Sequence, residues 1–189
     1  MSSIVSYIIE FIAPLVIFFI MARFLLQASK ADFYNPISQG IVTITDPLLK
    51  PLRALVPTFR NFDLSAIVCA WLLQCAMGYA VSALNNEVFS GWPVHIIISL
   101  FLVLKVLLQI YWILIIVSII SSWVAPTTSH PALDLVRQIL EPVMGPARRL
   151  LPPIGGLDFS PILVFLLLGL LTDRILPVSY THLRAQRPY

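Results

Sequence analysis

The chain has 189 residues, of which 59% are hydrophobic and 11% charged, and its mean hydropathy is +0.92. Soluble domains are close to half apolar and a quarter charged, so a water-soluble globular domain is excluded and a membrane protein is implied. The formal net charge is +3, but without the last 12 residues, which hold Arg184 and Arg187, ten basic side chains face nine acidic ones; no nucleic-acid partner follows from that balance.

Four apolar stretches approach the roughly 30 Å of bilayer hydrocarbon at about 1.5 Å per helical residue: residues 4–26, 64–84, 94–124 and 159–176. The third is overlong and the fourth marginal. Residues 1–3 carry no Lys or Arg, and no small-residue cleavage site precedes Arg23, so the first stretch is expected to stay as an anchor. Cys69 and Cys75 lie six apart on nearly opposite faces of the second stretch and read as packing residues. Gln27, Gln74 and Gln109 read as amides that join helices. After Pro177 the string "VSYTHLRAQRPY" breaks from everything before it. It resembles translated sequencing-adapter read-through and is expected to add nothing to the fold.

Between the crossings the chain repeats itself at an offset of 95. Pro36 matches Pro131, Pro47 matches Pro142, Pro51 matches Pro146 and Pro57 matches Pro152. Ile44, Arg53, Leu55, Asp63 and Ser65 meet Ile139, Arg148, Leu150, Asp158 and Ser160, giving nine identities in thirty positions where chance gives about two. The chain is a tandem duplication. The expected organisation is a first unit over residues 1–84, a connection over 85–93, a second unit over 94–176 and a tail over 177–189. Each unit crosses twice, so the units run parallel. The predicted fold is all-α, with about four crossings and amphipathic interfacial helices between the crossings of each unit.

In the repeated segments Asn35-Pro36 and His130-Pro131 place proline at a helix start, with Asn35 as N-cap. Ile37, Ile41, Ile44 and Leu48 recur at helical spacing, as do Leu135, Ile139 and Val143. Asp46-Pro47 and Glu141-Pro142 are read as restarting the helix, Pro51 and Pro146 as bending it, Pro57 and Pro152 as ending it, and Asp63 and Asp158 as capping the next crossing. Two consecutive interfacial helices per segment are therefore expected, with Lys50, Arg53, Arg148 and Arg149 facing lipid phosphates or a docking partner. Eight basic residues lie in or beside these segments, whereas residues 1–3 and 85–93 have none; the positive-inside rule places the segments in the cytoplasm and the N-terminus on the opposite side.

Glu10 and Lys105 are ionisable residues well inside apolar stretches, and they too are 95 apart. Facing each other across a pseudo-two-fold axis, they are expected to form an intramembrane ion pair, the alternative being that each snorkels separately to the interface. No nucleophile with a base, carboxylate pair, phosphate loop or set of metal ligands stands out, so neither an enzyme nor a cofactor is expected.

The phrases "ADFYNPISQ", "DPLLKPLRALVP" and "EPVMGPARRLLPPIGGLDFSP" resemble the YggT family of small bacterial membrane proteins in its two-copy form, over about residues 5–172. The resemblance implies a multi-pass protein of the bacterial inner membrane. It also implies links to osmotic-stress tolerance and envelope organisation, and in plastid relatives to cytochrome b maturation. A repeated docking surface on a membrane anchor suits an assembly or scaffold factor, whose partners would be the lipid bilayer and other membrane proteins or further copies of itself. The alternative is a small oligomeric channel or transporter in osmotic or ion homeostasis, for which the crossings offer few polar residues.

Overall fold

The computed structural model describes residues 4–85, 91–124, 130–151 and 158–175. Among them the chain forms six helices and no sheet: α1 (Ile4–Ala28), α2 (Pro36–Arg53), α3 (Leu64–Asn85), α4 (Trp92–Val124), α5 (Pro131–Leu150) and α6 (Ser160–Ile175). The tail and residues 86–90 of the connection lie outside the described residues.

α1, α3 and α4 are apolar all round and long enough to cross a bilayer, as the uninterrupted hydrophobic runs require. α4 has 33 residues and spans about 50 Å, while the 16 residues of α6 cover about 24 Å. Among the described residues α6 is the shortest of the four apolar helices.

Each unit makes the same three helix contacts. α1 packs on α2 and α3, and α2 on α3; α4 packs on α5 and α6, and α5 on α6. One apolar core joins Ile17, Ile20 and Phe24 of α1 to Ala66 and Ala70 of α3, Val103 and Ile110 of α4 and Ile139 of α5. A second ties Ile115 of α4 to Leu140 and Met144 of α5 and Val164 of α6. Between units the symmetry is broken: α3 packs along α4, but where α6 would meet α1 there is an apolar groove of ≈ 480 Å³ lined by Phe18, Trp112 and Gly169.

The α3–α4 contact depends on Gly78. A Cβ there would collide with the His95 imidazole, whose Nε2 lies 2.9 Å from the carbonyl oxygen of Cys75. Tyr79 stacks on Trp92 at 5.3 Å between ring centroids, and the Trp71 indole N–H donates to the Ile96 carbonyl at 3.0 Å. Gly78→Ala is therefore expected to lower stability by about 1–3 kcal/mol through overpacking, read as a lower thermal midpoint in detergent. An unchanged midpoint would mean that His95 moves aside at no cost.

The repeated segments differ from the sequence expectation in one respect. Each is one continuous helix rather than two, with Pro47 and Pro51 inside α2 and Pro142 and Pro146 inside α5. Both helices continue through their prolines, and in α2 a neighbouring side chain supports the disturbed turn. Pro47 cannot donate to the carbonyl of Thr43 and crowds that turn, and Arg23 of α1 donates to the adjacent Val42 carbonyl at 3.0 Å. The helix starts follow the expected chemistry: Asn35 Oδ1 accepts from the Ile37 N–H at 2.9 Å, and His130 Nδ1 accepts from Ala132 at 3.1 Å.

Candidate functional site

α2 and α5 lie on the same face of the protein and meet through their first turns. Asn35, while capping α2 with its oxygen, donates from Nδ2 to the Pro131 carbonyl of α5 at 2.7 Å. The Asp32 N–H donates to Gln138 Oε1 at 2.7 Å. A polar cleft of ≈ 540 Å³ opens at this seam, with Tyr34, Asp134 and Arg137 among its walls.

α2 has three faces. Ser38, Thr45 and Leu49 are buried against the crossings, Ile37, Ile44 and Leu48 are apolar and exposed, and Gln39, Thr43 and Lys50 form the polar side. In α5 the apolar face, with Leu135, Ile139 and Leu140, is buried. The exposed stripe of α2 suits a helix lying at the membrane interface.

Two of the arginines expected to face phosphates are instead tied to carboxylates of the same repeat. Arg53 donates from Nε at 3.1 Å, and also from Nη2, to Oδ2 of Asp63. Asp63 directly precedes α3, and its other oxygen accepts from the Ser65 hydroxyl. Arg148 donates to Asp158 at 3.1 Å and to Glu141 at 2.9 Å, while the Ser160 N–H donates to Asp158 at 2.9 Å. The (Pro)-x-Arg…Asp-x-Ser frame is thus a clamp that fixes the end of each interfacial helix to the start of the next crossing.

The remaining cations divide as follows. Lys50 reaches Asp46 at 3.2 Å, one turn away, yet is largely exposed. Arg149 is exposed and in no ion pair among the described residues. Of the four expected surface cations, Arg149 and Lys50 remain open to a partner.

The first unit has a further ion pair that sequence reasoning missed. Arg23 of α1 is 4% exposed, and its Nη1 lies 2.5 Å from Asp46 and 2.9 Å from the Thr45 hydroxyl. At the equivalent place in the second unit stands Ser118, so Glu141, the counterpart of Asp46, turns to Arg148. The available signal was the one applied to Glu10 and Lys105, an ionisable residue within an apolar run; Arg23 was counted only as an orienting charge.

The structure does not form the Glu10–Lys105 pair. Glu10 is exposed and Lys105 half-buried, and no ion pair among the described residues links them. α1 buries its second half, from Ile17 to Leu26, but of its first only Ser6, so Glu10 lies on an exposed face of the helix. Two turns from the helix start, that carboxylate is within snorkelling reach of the interface.

The clamps leave a titration signature. Burial pushes the Asp63 carboxyl up, but the Ser65 hydroxyl, the Arg53 guanidinium and the Ala66 N–H outweigh it and hold the group below the usual carboxylate range. Asp46 is held down foremost by Arg23. Asp158, raised by burial, is brought below its ordinary value by Ser160 and Arg148. A carboxylate with a depressed folded pKa contributes stability that is present above its unfolded pKa, about 4, and lost as pH falls through the folded value. Thermal stability in detergent should therefore fall as pH drops below about 4. An Asp63→Asn variant should show a shallower fall, and identical slopes would remove Asp63 from the account.

The sequence matches the CCB3/YggT family twice, over residues 2–84 and 97–178, at the same 95-residue offset as the clamps. The chain belongs to the CCB3/YggT family. An uncharacterized protein of Pseudomonas aeruginosa is 42% identical over 173 residues, covering 87% of this chain and 84% of the relative. The uncharacterized protein YggT of Escherichia coli K12 is 32% identical over 164 residues, 86% of this chain and 84% of the relative. An uncharacterized Haemophilus influenzae protein is 34% identical over 158 residues, 83% of each. No solved structure matches the chain. The two family copies coincide with the two helix–interfacial helix–helix units, so this YggT-family chain is a helical membrane protein built from tandem repeats.

Proposed function

We propose that this YggT-family protein is a non-enzymatic assembly or scaffold factor of the bacterial inner membrane, docking partner membrane proteins on a cytoplasmic platform made by α2 and α5. The observation that carries the reading is the seam between the repeats. Interfacial helices from separate units are hydrogen-bonded to each other, and each is clamped to a crossing by an arginine and an aspartate. A charge that served orientation alone needs no such rigid frame. A preorganised platform, by contrast, lowers the ordering cost of binding.

A photo-crosslinker placed at positions 50 and 149 in native membranes tests this, with the lipid-facing position 97 as control. The expected result is one recurring membrane protein captured from both platform positions, with the capture from position 50 lost on Arg149→Glu. Self-crosslinks accompanied by ion flux in liposomes would support a small oligomeric channel or transporter instead. For orientation, the basic residues of the segments predict that Thr58→Cys reacts with an impermeant reagent only after permeabilisation and Asn86→Cys before it; the reverse pattern would invert the platform.

A further inference from the structure

α2 and α3 are joined by a turn in which Phe59 and Phe62 exchange both backbone hydrogen bonds, at 3.0 and 2.9 Å. Arg60, the first residue of that turn, has φ +54°. This left-handed region suits glycine and is strained for a side chain with a Cβ. At the same place the second repeat writes Gly155-Gly156. The first repeat therefore keeps an arginine where the backbone favours glycine, and strain retained in this way points to a role for the side chain.

The surroundings say which role. Leu55 is 80% and Phe59 65% exposed, although both are large and apolar. Leu55 also lines an apolar corner of ≈ 430 Å³ between α2 and α3 whose far wall includes Leu72 and Ala76. Those residues lie two to three turns inside a crossing helix, so the exposed side of Leu55 continues onto a surface at hydrocarbon depth. Phe62 anchors the turn on Phe24 of α1 at 6.2 Å between ring centroids. Arg60 is exposed, sits 5.9 Å from the centroid of the Phe59 ring and is in no ion pair among the described residues. Exposed apolar side chains at the end of a crossing, with a guanidinium in no ion pair among the described residues beside them, match the layered chemistry of a lipid monolayer.

We infer that the Phe59–Phe62 turn is an interfacial wedge whose Arg60 selects anionic phospholipid headgroups. Phe59 and Leu55 enter the outer acyl region, and the guanidinium pairs with headgroup phosphate and negative charge. The inference concerns a lipid contact of the first repeat and does not depend on protein docking at the platform.

The test uses the full chain carrying Cys69→Ala and Cys75→Ala, with a bimane label on Asn61→Cys, in vesicles of three parts phosphatidylcholine to one part phosphatidylglycerol. Bromine is placed on the acyl chains of one lipid or the other. The expected result is stronger quenching per mole by brominated phosphatidylglycerol, with a local enrichment of up to about fivefold, as one basic residue at an anionic surface provides. The enrichment should fall to near one with Arg60→Gln and persist with Arg60→Lys. Arg60→Gly should also lose it while raising the thermal midpoint, because glycine relieves the backbone. Absence of quenching by either lipid would overturn the wedge, and equal quenching by both would overturn headgroup selection. Should the labelled chain fail to fold, phospholipid retained on the unlabelled chain after mild detergent purification gives the same comparison. Equal phosphatidylglycerol content in the native and Arg60→Gln proteins would overturn the inference.

Discussion

Asp63→Ala is expected to cost about 3–5 kcal/mol, whereas Asp158→Ala, the same change at the same place in the repeat, should cost about 1 kcal/mol or less. The difference comes from burial. The Asp63 side chain is 0% exposed and its partner Arg53 is 33% exposed, while Asp158 and Arg148 are 38% and 43% exposed. Removing Asp63 strands a half-buried guanidinium, leaves the Ser65 hydroxyl without its acceptor and deprives the first turn of α3 of its cap. In the second unit water can take over from the lost carboxylate, and Arg148 keeps Glu141. Thermal unfolding in detergent of the two variants side by side measures this. Equal losses would show that the clamp's contribution does not follow its burial.

Asp46→Ala should destabilise by about 3 kcal/mol, the lower end of the range for breaking a buried pair because Asp46 itself is partly exposed. The damage lies in what remains. Arg23, almost entirely buried, would keep only the neutral Thr45 hydroxyl and Val42 carbonyl as acceptors. Replacing both members, Arg23→Met with Asp46→Leu, removes the stranded charge and substitutes apolar contacts of similar size; such exchanges are commonly neutral or stabilising. The double variant is therefore expected to recover most of the loss. A double variant as unstable as the single one would mean that Arg23 acts mainly through the Val42 carbonyl beside Pro47, which methionine cannot serve.

The duplicated frame, the proline starts of α2 and α5 and the caps at Asn35 and Asp63 were legible in the sequence because each depends on local chemistry at fixed spacing. The destination of Arg53 and Arg148 was not. Their carboxylate partners lie ten residues on, and in the first unit the pair meets only because the chain folds back through Phe59–Phe62. A charge count cannot distinguish a cation left for phosphate from one already paired. The helix restarts at Pro47 and Pro142 were misread because proline was judged by its lost donor alone, whereas α2 and α5 each pack along the crossings of their own unit and stay continuous; in α2 Arg23, nineteen residues before Val42, adds a donor to the turn. The Glu10–Lys105 pair failed for a related reason: equivalence under the repeat gives the same height on two helices, not side chains that face each other, and Glu10 lies on an exposed face of α1.

The packing of α4 bears on how the protein is made. This helix touches α1, α3, α5 and α6 and supplies the acceptor for Trp71 and the imidazole that fills the space beside Gly78. During synthesis the first repeat leaves the ribosome before α4, so it enters the membrane with one flank uncovered. A nascent chain stalled after α3 would present an indole N–H without its acceptor and a notch without its imidazole. Such a fragment is expected to be a preferred substrate for membrane proteases, with a half-life in cells well below that of the full-length chain.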